Sequence, residues 1–180
     1  MSSFKYISSE LFCENVSLAQ IAKDYGTPSY VYSKKAIEEN AKSYVNSFDN
    51  PKNLACFAVK SLSNISILKI IKDMGCGFDI VSGGELHRVM SIGADPKKII
   101  FSGVGKTRKE IEQGIKNNIL SFNVESTSEL YNIERIAKDI NSSAPISIRI
   151  NPDIDSGGHD YITTGRKGDK FGISSIEEIF

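Results

Sequence analysis

The sequence predicts an α/β fold organised around a parallel sheet, and three features carry that prediction. Apolar, strand-length runs recur at 54–59, 78–81, 99–101, 120–124 and 146–150. Amphipathic stretches with helix-start signals lie between them. No linker or low-complexity segment breaks the rhythm, which is that of repeated βα units. The runs read as continuous apolar segments, the pattern of parallel strands covered on both faces. Five such units suit a doubly wound open sheet or the first part of a (β/α)8 barrel. The final residues favour the barrel. Ser174-Ser175-Ile-Glu-Glu-Ile-Phe180 opens a capped helix that has no stop signal, so the expectation is a partial (β/α)8 barrel truncated after about five βα units.

Taken in order, residues 1–33 are expected to form a lead-in of one helix and one strand, and residues 34–180 the incomplete barrel. Ser17-Leu-Ala-Gln20 reads as a capping box for a short helix running to Tyr25, with Gly26 placed to end it. Pro28 introduces an extended run, Ser29-Tyr-Val-Tyr32. Ser33 can cap the next helix, where Ala36, Ile37, Asn40, Ala41, Tyr44, Val45 and Phe48 repeat at helical spacing. After Pro51 the βα units begin. Asn64 precedes Ile65, Ile67, Leu68 and Ile71, and Thr107-Arg-Lys-Glu110 and Ser126-Thr-Ser-Glu129 are further capping boxes.

Composition excludes several classes of function. Acidic and basic residues balance at 22 each without blocks of like charge, which argues against a nucleic-acid or membrane field. Cys13, Cys56 and Cys76 form no CxxC pair and no cluster with histidine. Their odd number and wide spacing suit thiols in a reducing compartment. Met-Ser-Ser-Phe-Lys-Tyr offers no signal-peptide core, and no apolar run approaches the roughly 20 residues of a membrane span. The expectation is a cytoplasmic protein.

Four features invite a functional reading, and for each a structural one is at least as strong. Gly103-Val-Gly-Lys106-Thr107 resembles a phosphate loop, but Ile100 stands where that loop needs its first glycine. A tight βα turn with Thr107 capping the next helix is expected instead. Ser82-Gly83-Gly84 opens a helix and could meet an anion, or could simply allow a close strand-to-helix turn. His87 should be solvated on its helix. His159, in Ser156-Gly-Gly-His-Asp160, lacks neighbours at metal-ligand spacing, so no metal site is expected.

Lys60 is the candidate for chemistry. It ends the apolar run Ala55-Cys-Phe-Ala-Val59, on the rim where parallel α/β enzymes place their active groups. From position alone, a merely solvated lysine is the commoner outcome. Asp79, near the end of the next strand, alters that balance, because adjacent strands lie ~4.8 Å apart and a carboxylate could reach the amine. Glu85 and Arg149 add charge to the same rim. A desolvated lysine oriented by an acid is suited to Schiff-base chemistry.

Phe57-Ala-Val-Lys60-Ser resembles the lysine segment of the fold-type III pyridoxal-phosphate enzymes. Further segments are similar to their decarboxylases: Tyr25-Gly-Thr-Pro-Ser-Tyr-Val-Tyr32, Gly77-Phe-Asp-Ile-Val-Ser-Gly-Gly-Glu-Leu86, Phe122-Asn-Val-Glu125-Ser and Arg149-Ile-Asn-Pro152. His159-Asp-Tyr-Ile-Thr-Thr-Gly165 and Lys170-Phe-Gly-Ile173 point to the branch acting on diaminopimelate over that acting on ornithine. The resemblance spans nearly the whole chain. It implies that Lys60 carries pyridoxal 5'-phosphate as a Schiff base, with Asp79 and Glu85 near it and Arg149 lining the cofactor side. It implies Lys170 near a homodimer interface and residues 1–33 belonging with a β-domain. The implied reaction is conversion of meso-2,6-diaminopimelate to L-lysine and CO2, with the protein orienting the scissile bond across the cofactor ring. The ring-stacking histidine, phosphate loop, partner of the pyridine nitrogen and substrate contacts are expected past Phe180, so the 180-residue chain alone is expected to be inactive. Alternatives within the resemblance are a decarboxylase of ornithine, arginine or carboxynorspermidine, and a non-catalytic cofactor-binding homologue.

Overall fold

Residues 3–47, 53–154 and 172–173 are described by a computed structural model of the chain. The chain divides into two compact units, Met1–Ala55 with Lys69–Cys76 and Cys56–Leu68 with Gly77–Phe180.

The first unit holds an antiparallel sheet absent from the sequence-based expectation. Strands β1 (Phe4–Ile7), β2 (Glu10–Cys13) and β3 (Val16–Ser17) pair in chain order, with Ile7 opposite Glu10. The hairpin between β1 and β2 is closed by Ser8 and Ser9, both at positive φ (49° and 68°). A two-residue hairpin turn of that hand favours asparagine or glycine, and two serines give no such signal. Helix α1 (Leu18–Tyr25) starts where expected. The Ser17 hydroxyl accepts from Gln20 N–H, and Gly26 closes the helix at φ 82°. The reciprocal half of the capping box is not made, because the Gln20 side chain donates to Asp24.

Helix α2 (Lys34–Val45) is capped by Ser33 as anticipated. The Glu14 carboxylate supports that cap, accepting from the Ser33 hydroxyl at 2.8 Å and Lys35 N–H at 3.0 Å. These bonds, the Lys35 amide first, hold its carboxyl below the ordinary range. Of the α2 residues expected at an apolar face, only Ala41 is buried, and Tyr44 is largely exposed. Phe48 lies outside the described residues. The expected strand at Ser29–Tyr32 is in no ladder.

The second unit is a five-stranded, all-parallel sheet in chain order: β4 (Cys56–Ala58), β5 (Gly77–Ile80), β6 (Ile99–Phe101), β7 (Ser121–Val124) and β8 (Ile146–Ile148). All five apolar runs expected as strands of this sheet form one, though most of the strands are shorter than their runs. Helices α3 (Ile65–Asp73), α4 (Gly83–Ser91), α5 (Arg108–Lys116) and α6 (Thr127–Asp139) connect them. Phe57 faces Phe78, Phe78 faces Ile99, Phe101 faces Phe122, and Phe122 faces Ile146. A doubly wound sheet would reverse its strand order at a switch point. This one never reverses, and a parallel bridge from Ile150 to Ile173 extends it in the same direction. The arrangement is the arc of a (β/α)8 barrel. Among the described residues, no helix is long and apolar enough to cross a membrane.

One expectation about the strands is corrected. They are not continuous apolar runs covered alike on both faces. Phe78, Ile80, Phe101, Phe122 and Val124 are wholly buried, whereas the intervening Asp79, Asn123 and Ser147, with Ser102 just past β6, line a cavity. The alternation was concealed because small or polar residues fall singly between large apolar ones, as in Phe78-Asp-Ile80 and Phe122-Asn-Val124. The buried face is closely packed. Phe101 and Phe122 stack with centroids 5.9 Å apart, and Gly114 of α5 is so close to Phe122 that a Cβ there would sit 2.5 Å from the ring.

Candidate active site

The C-terminal ends of all five parallel strands converge on a cavity of about 530 Å³ lined by Lys60, Asp79, Val81, Ser102, Gly103, Asn123, Glu125, Ser147 and Arg149. Parallel barrels present their chemistry at this end, because successive loops bring side chains from different strands to one mouth. Three of the four sequence-predicted site residues, Lys60, Asp79 and Arg149, are brought together there. Glu85 is not among the lining residues.

Lys60 differs in detail from expectation. Strand β4 ends at Ala58, and the lysine sits in a 3-10 turn, Val59–Ser61. It is exposed instead of desolvated in a strand. The turn follows from the Ser61 hydroxyl donating back to Ala58 C=O at 2.7 Å, while fully buried Val59 anchors it. Among the described residues, no hydrogen bond or ion pair engages the Lys60 amine. Asp79 stands opposite Ala58 in the ladder and is half-buried. Its carboxylate accepts a short bond from the Ser102 hydroxyl, which in turn accepts from Asn123 Nδ2 at 2.9 Å. This polar chain crosses three strands and fixes the acid.

Glu85, which the resemblance places near the lysine, has its carboxylate engaged at the strand-to-helix turn. Its carboxylate accepts from Val81 N–H at 2.6 Å, while Ser82 caps the same helix by accepting from Glu85 N–H. The acid therefore holds the strand-to-helix turn. Ser82-Gly83-Gly84 takes its structural reading too. Gly83 N–H donates to Glu110 Oε1 at 2.7 Å, and a Cβ on Gly83 would crowd Gln113 and Glu110 at 3.0 Å. The anion at this helix start is the protein's own carboxylate. Burial raises the Glu110 pKa, but the bonds from Gly83 N–H and from Thr107 outweigh it and hold the carboxyl below its ordinary value.

Sequence reasoning gave no role to Glu125 and Lys106. Glu125 is one residue past β7, the same rim position that singled out Lys60 and Asp79, and that signal was available. Only 4% of it is exposed. It pairs with Arg149 Nη1 at 3.2 Å and accepts more loosely from Gly103 N–H at 3.4 Å. Lys106 resolves the phosphate-loop resemblance. Its amine donates to Gly103 C=O at 2.6 Å, Asn123 C=O at 2.7 Å and Glu129 Oε1 at 2.8 Å, with the side chain 1% exposed. An ammonium has three donors, and all are used internally. Thr107 and Glu110 make the reciprocal capping box expected of a plain βα turn.

His87 is exposed as expected, and no disulfide joins the three cysteine thiols. His159 and the segment 156–160, the segment 159–165, Lys170 and the helix expected from Ser174 lie outside the described residues.

Residues 34–179 match the family model described as pyridoxal-dependent decarboxylase, pyridoxal binding domain. A curated diaminopimelate decarboxylase of Pseudomonas aeruginosa is 47% identical over 177 residues, covering 98% of this chain and 43% of the relative. Among solved structures, the Helicobacter pylori diaminopimelate decarboxylase complexed with L-lysine superposes with a TM-score of 0.82 at 45% identity, over 86% of this chain and 39% of that one. The M. jannaschii diaminopimelate decarboxylase, also in complex with L-lysine, gives 0.85 at 34% identity, over 97% and 42%. The chain thus spans less than half the length of the relatives it matches.

Proposed function

The chain belongs to the pyridoxal-dependent decarboxylases, in their pyridoxal-binding domain, and from that premise we propose that it supplies the cofactor-bearing lysine of an enzyme converting meso-2,6-diaminopimelate to L-lysine and CO2. One observation carries the reading. An exposed lysine amine, engaged by no described acceptor, opens into the same cavity as Asp79 and Arg149. The residues present fit pyridoxal 5'-phosphate. The cavity lies within the roughly 300–1,000 Å³ of small-molecule sites, its amine is available to an aldehyde, and Arg149 offers a cation to an anionic ligand. When bound, the cofactor supplies an aldehyde for amines and a protonated ring that draws off the electron pair of the breaking Cα–CO2 bond.

The chain's own residues bind, orient and balance charge. Lys60 would hold the cofactor through its amine and receive it back after turnover. Asp79, kept in place by Ser102 and Asn123, would balance the lysine's charge. Arg149 would face the cofactor from β8. Glu85 would act one step away, by keeping Val81 at the rim. We assign residues 1–33 to a lead-in belonging with a β-domain and residues 34–180 to the cofactor domain, a division supported by the family match beginning at residue 34. A cytosolic homodimer acting on a free amino acid, with further residues of the full-length protein completing the site, belongs to the same proposal.

The choice of substrate is supported by relatives near 47% identity that are named for diaminopimelate. Its test is CO2 release by the full-length protein offered meso-2,6-diaminopimelate, L-ornithine, L-arginine or carboxynorspermidine separately. Release from the first, at least tenfold above the others, is expected. Preference for one of the other three would transfer the protein to that substrate, and silence with all four would leave a cofactor-binding homologue. The 180-residue chain alone is expected to release none.

A further inference from the structure

The same four-residue pattern follows two strands of the sheet and does the same mechanical work at each. After β5 it is Ser82-Gly-Gly-Glu85, and after β7 it is Ser126-Thr-Ser-Glu129. In both, the serine caps the helix by accepting from the glutamate's N–H. In both, the glutamate carboxylate reaches past the serine to the amide before it, Val81 N–H at 2.6 Å and Glu125 N–H at 2.7 Å. The residue so clamped lines the cavity in each case. The second clamp carries more. Its glutamate is also pinned by Lys106, and the residue it fixes is a buried acid instead of a valine.

That acid and its partner are unequal. The Glu125 side chain is 3% exposed and that of Arg149 40%. A desolvated carboxylate with few alternatives therefore anchors a cation that has access to water and the cavity. The charged groups around the cavity come from each contributing strand end: Lys60 after β4, Asp79 on β5, Glu125 after β7 and Arg149 after β8. Lys106 after β6 and Glu129 on α6 stand behind them as a neutral pair. Among the described residues, two positive and two negative groups line the cavity, so removing Glu125 shifts that balance by one charge.

We propose that Glu125 is a positioning residue of this site, holding the Arg149 guanidinium at the cavity and supplying the negative charge that offsets it. The assignment rests on the cofactor reading above, since it concerns a charge balance sensed at Lys60. Losing a negative charge from the cavity disfavours the protonated form of the group on Lys60, so its ionisation midpoint must fall.

The experiment is a pH titration of the bound cofactor's visible absorption in the full-length protein, together with the cofactor's dissociation constant. In Glu125→Gln the midpoint is expected to drop by about one unit. In Glu125→Asp, which keeps the charge but retracts it, the midpoint should stay within about 0.3 units of wild type while cofactor affinity falls several-fold through lost alignment. If the Gln variant does not fold, the Asp variant decides alone. An Asp midpoint displaced by a full unit, or an unchanged cofactor affinity, overturns the assignment. So does a Gln midpoint identical to wild type. If wild-type protein has no absorption band that Lys60→Ala removes, the cofactor reading itself has failed and the assignment falls with it, an outcome distinct from the variant results.

Discussion

Two lysines stand just past strands of the same sheet, and their surroundings give them opposite roles. Lys106, in the turn after β6, places its amine between two carbonyls and a carboxylate with the side chain 1% exposed. Lys60, in the turn after β4, is exposed to a cavity and meets no acceptor among the described residues. The fold puts a cation on the rim in both places. Under the proposed function, what separates strut from reagent is the supply of acceptors, since an ammonium whose three donors are satisfied has none left for a ligand.

The largest difference should appear on replacing each lysine in turn. Lys60→Ala is expected to abolish the cofactor's absorption band and CO2 release while changing stability by no more than about 0.5 kcal/mol, because an exposed side chain without partners contributes little to folding. Denaturant unfolding and spectra of the same sample check both halves. Lys106→Met should do the reverse. It strands Glu129, only 12% exposed, without its counter-ion, at a cost of about 3–5 kcal/mol in denaturant unfolding. A Lys106 variant of wild-type stability but without cofactor would erase the distinction.

A smaller effect sharpens the view that the β6–α5 region is structural. Gly114→Ala would drive a methyl to 2.5 Å from the Phe122 ring, an overpacking worth about 1–3 kcal/mol in thermal or denaturant unfolding. The smallest effect concerns pH. The Glu110 carboxyl is held below its ordinary value of 4.5 in the folded chain. Its contribution is therefore present in full above that value and disappears as pH falls through the lowered folded-state pKa. Acid titrations of stability should be flatter in Glu110→Gln below about pH 4.5 and unchanged in slope near neutrality.

Much of this was legible in the residues. Caps at Ser17, Ser33, Asn64, Thr107 and Ser126 fixed the helix starts, because short polar side chains there have one local use. The parallel strands were found by their apolar runs. Their alternation is concealed because a lone aspartate between Phe78 and Ile80, or asparagine between Phe122 and Val124, hardly lowers the apolarity of a short run. The Ser8-Ser9 hairpin left no trace, since serine is not a marked residue for left-handed turns. Lys60, Asp79 and Arg149 stand out in the sequence by their rim positions and line one cavity, whereas Glu85 lies outside that lining. A capping glutamate and a site glutamate look alike in sequence. Only the 2.6 Å bond to Val81 N–H separates them. Glu125 failed to stand out for the converse reason, since an acid before a capping serine reads as an ordinary helix start until its burial is known.

The most direct measurement is reductive trapping of the cofactor on the full-length protein with borohydride, followed by peptide mass mapping. The account requires the added mass on the peptide containing Lys60 and none on that containing Lys106. Label on Lys106, or spread over surface lysines with Lys60 unmodified, would contradict it.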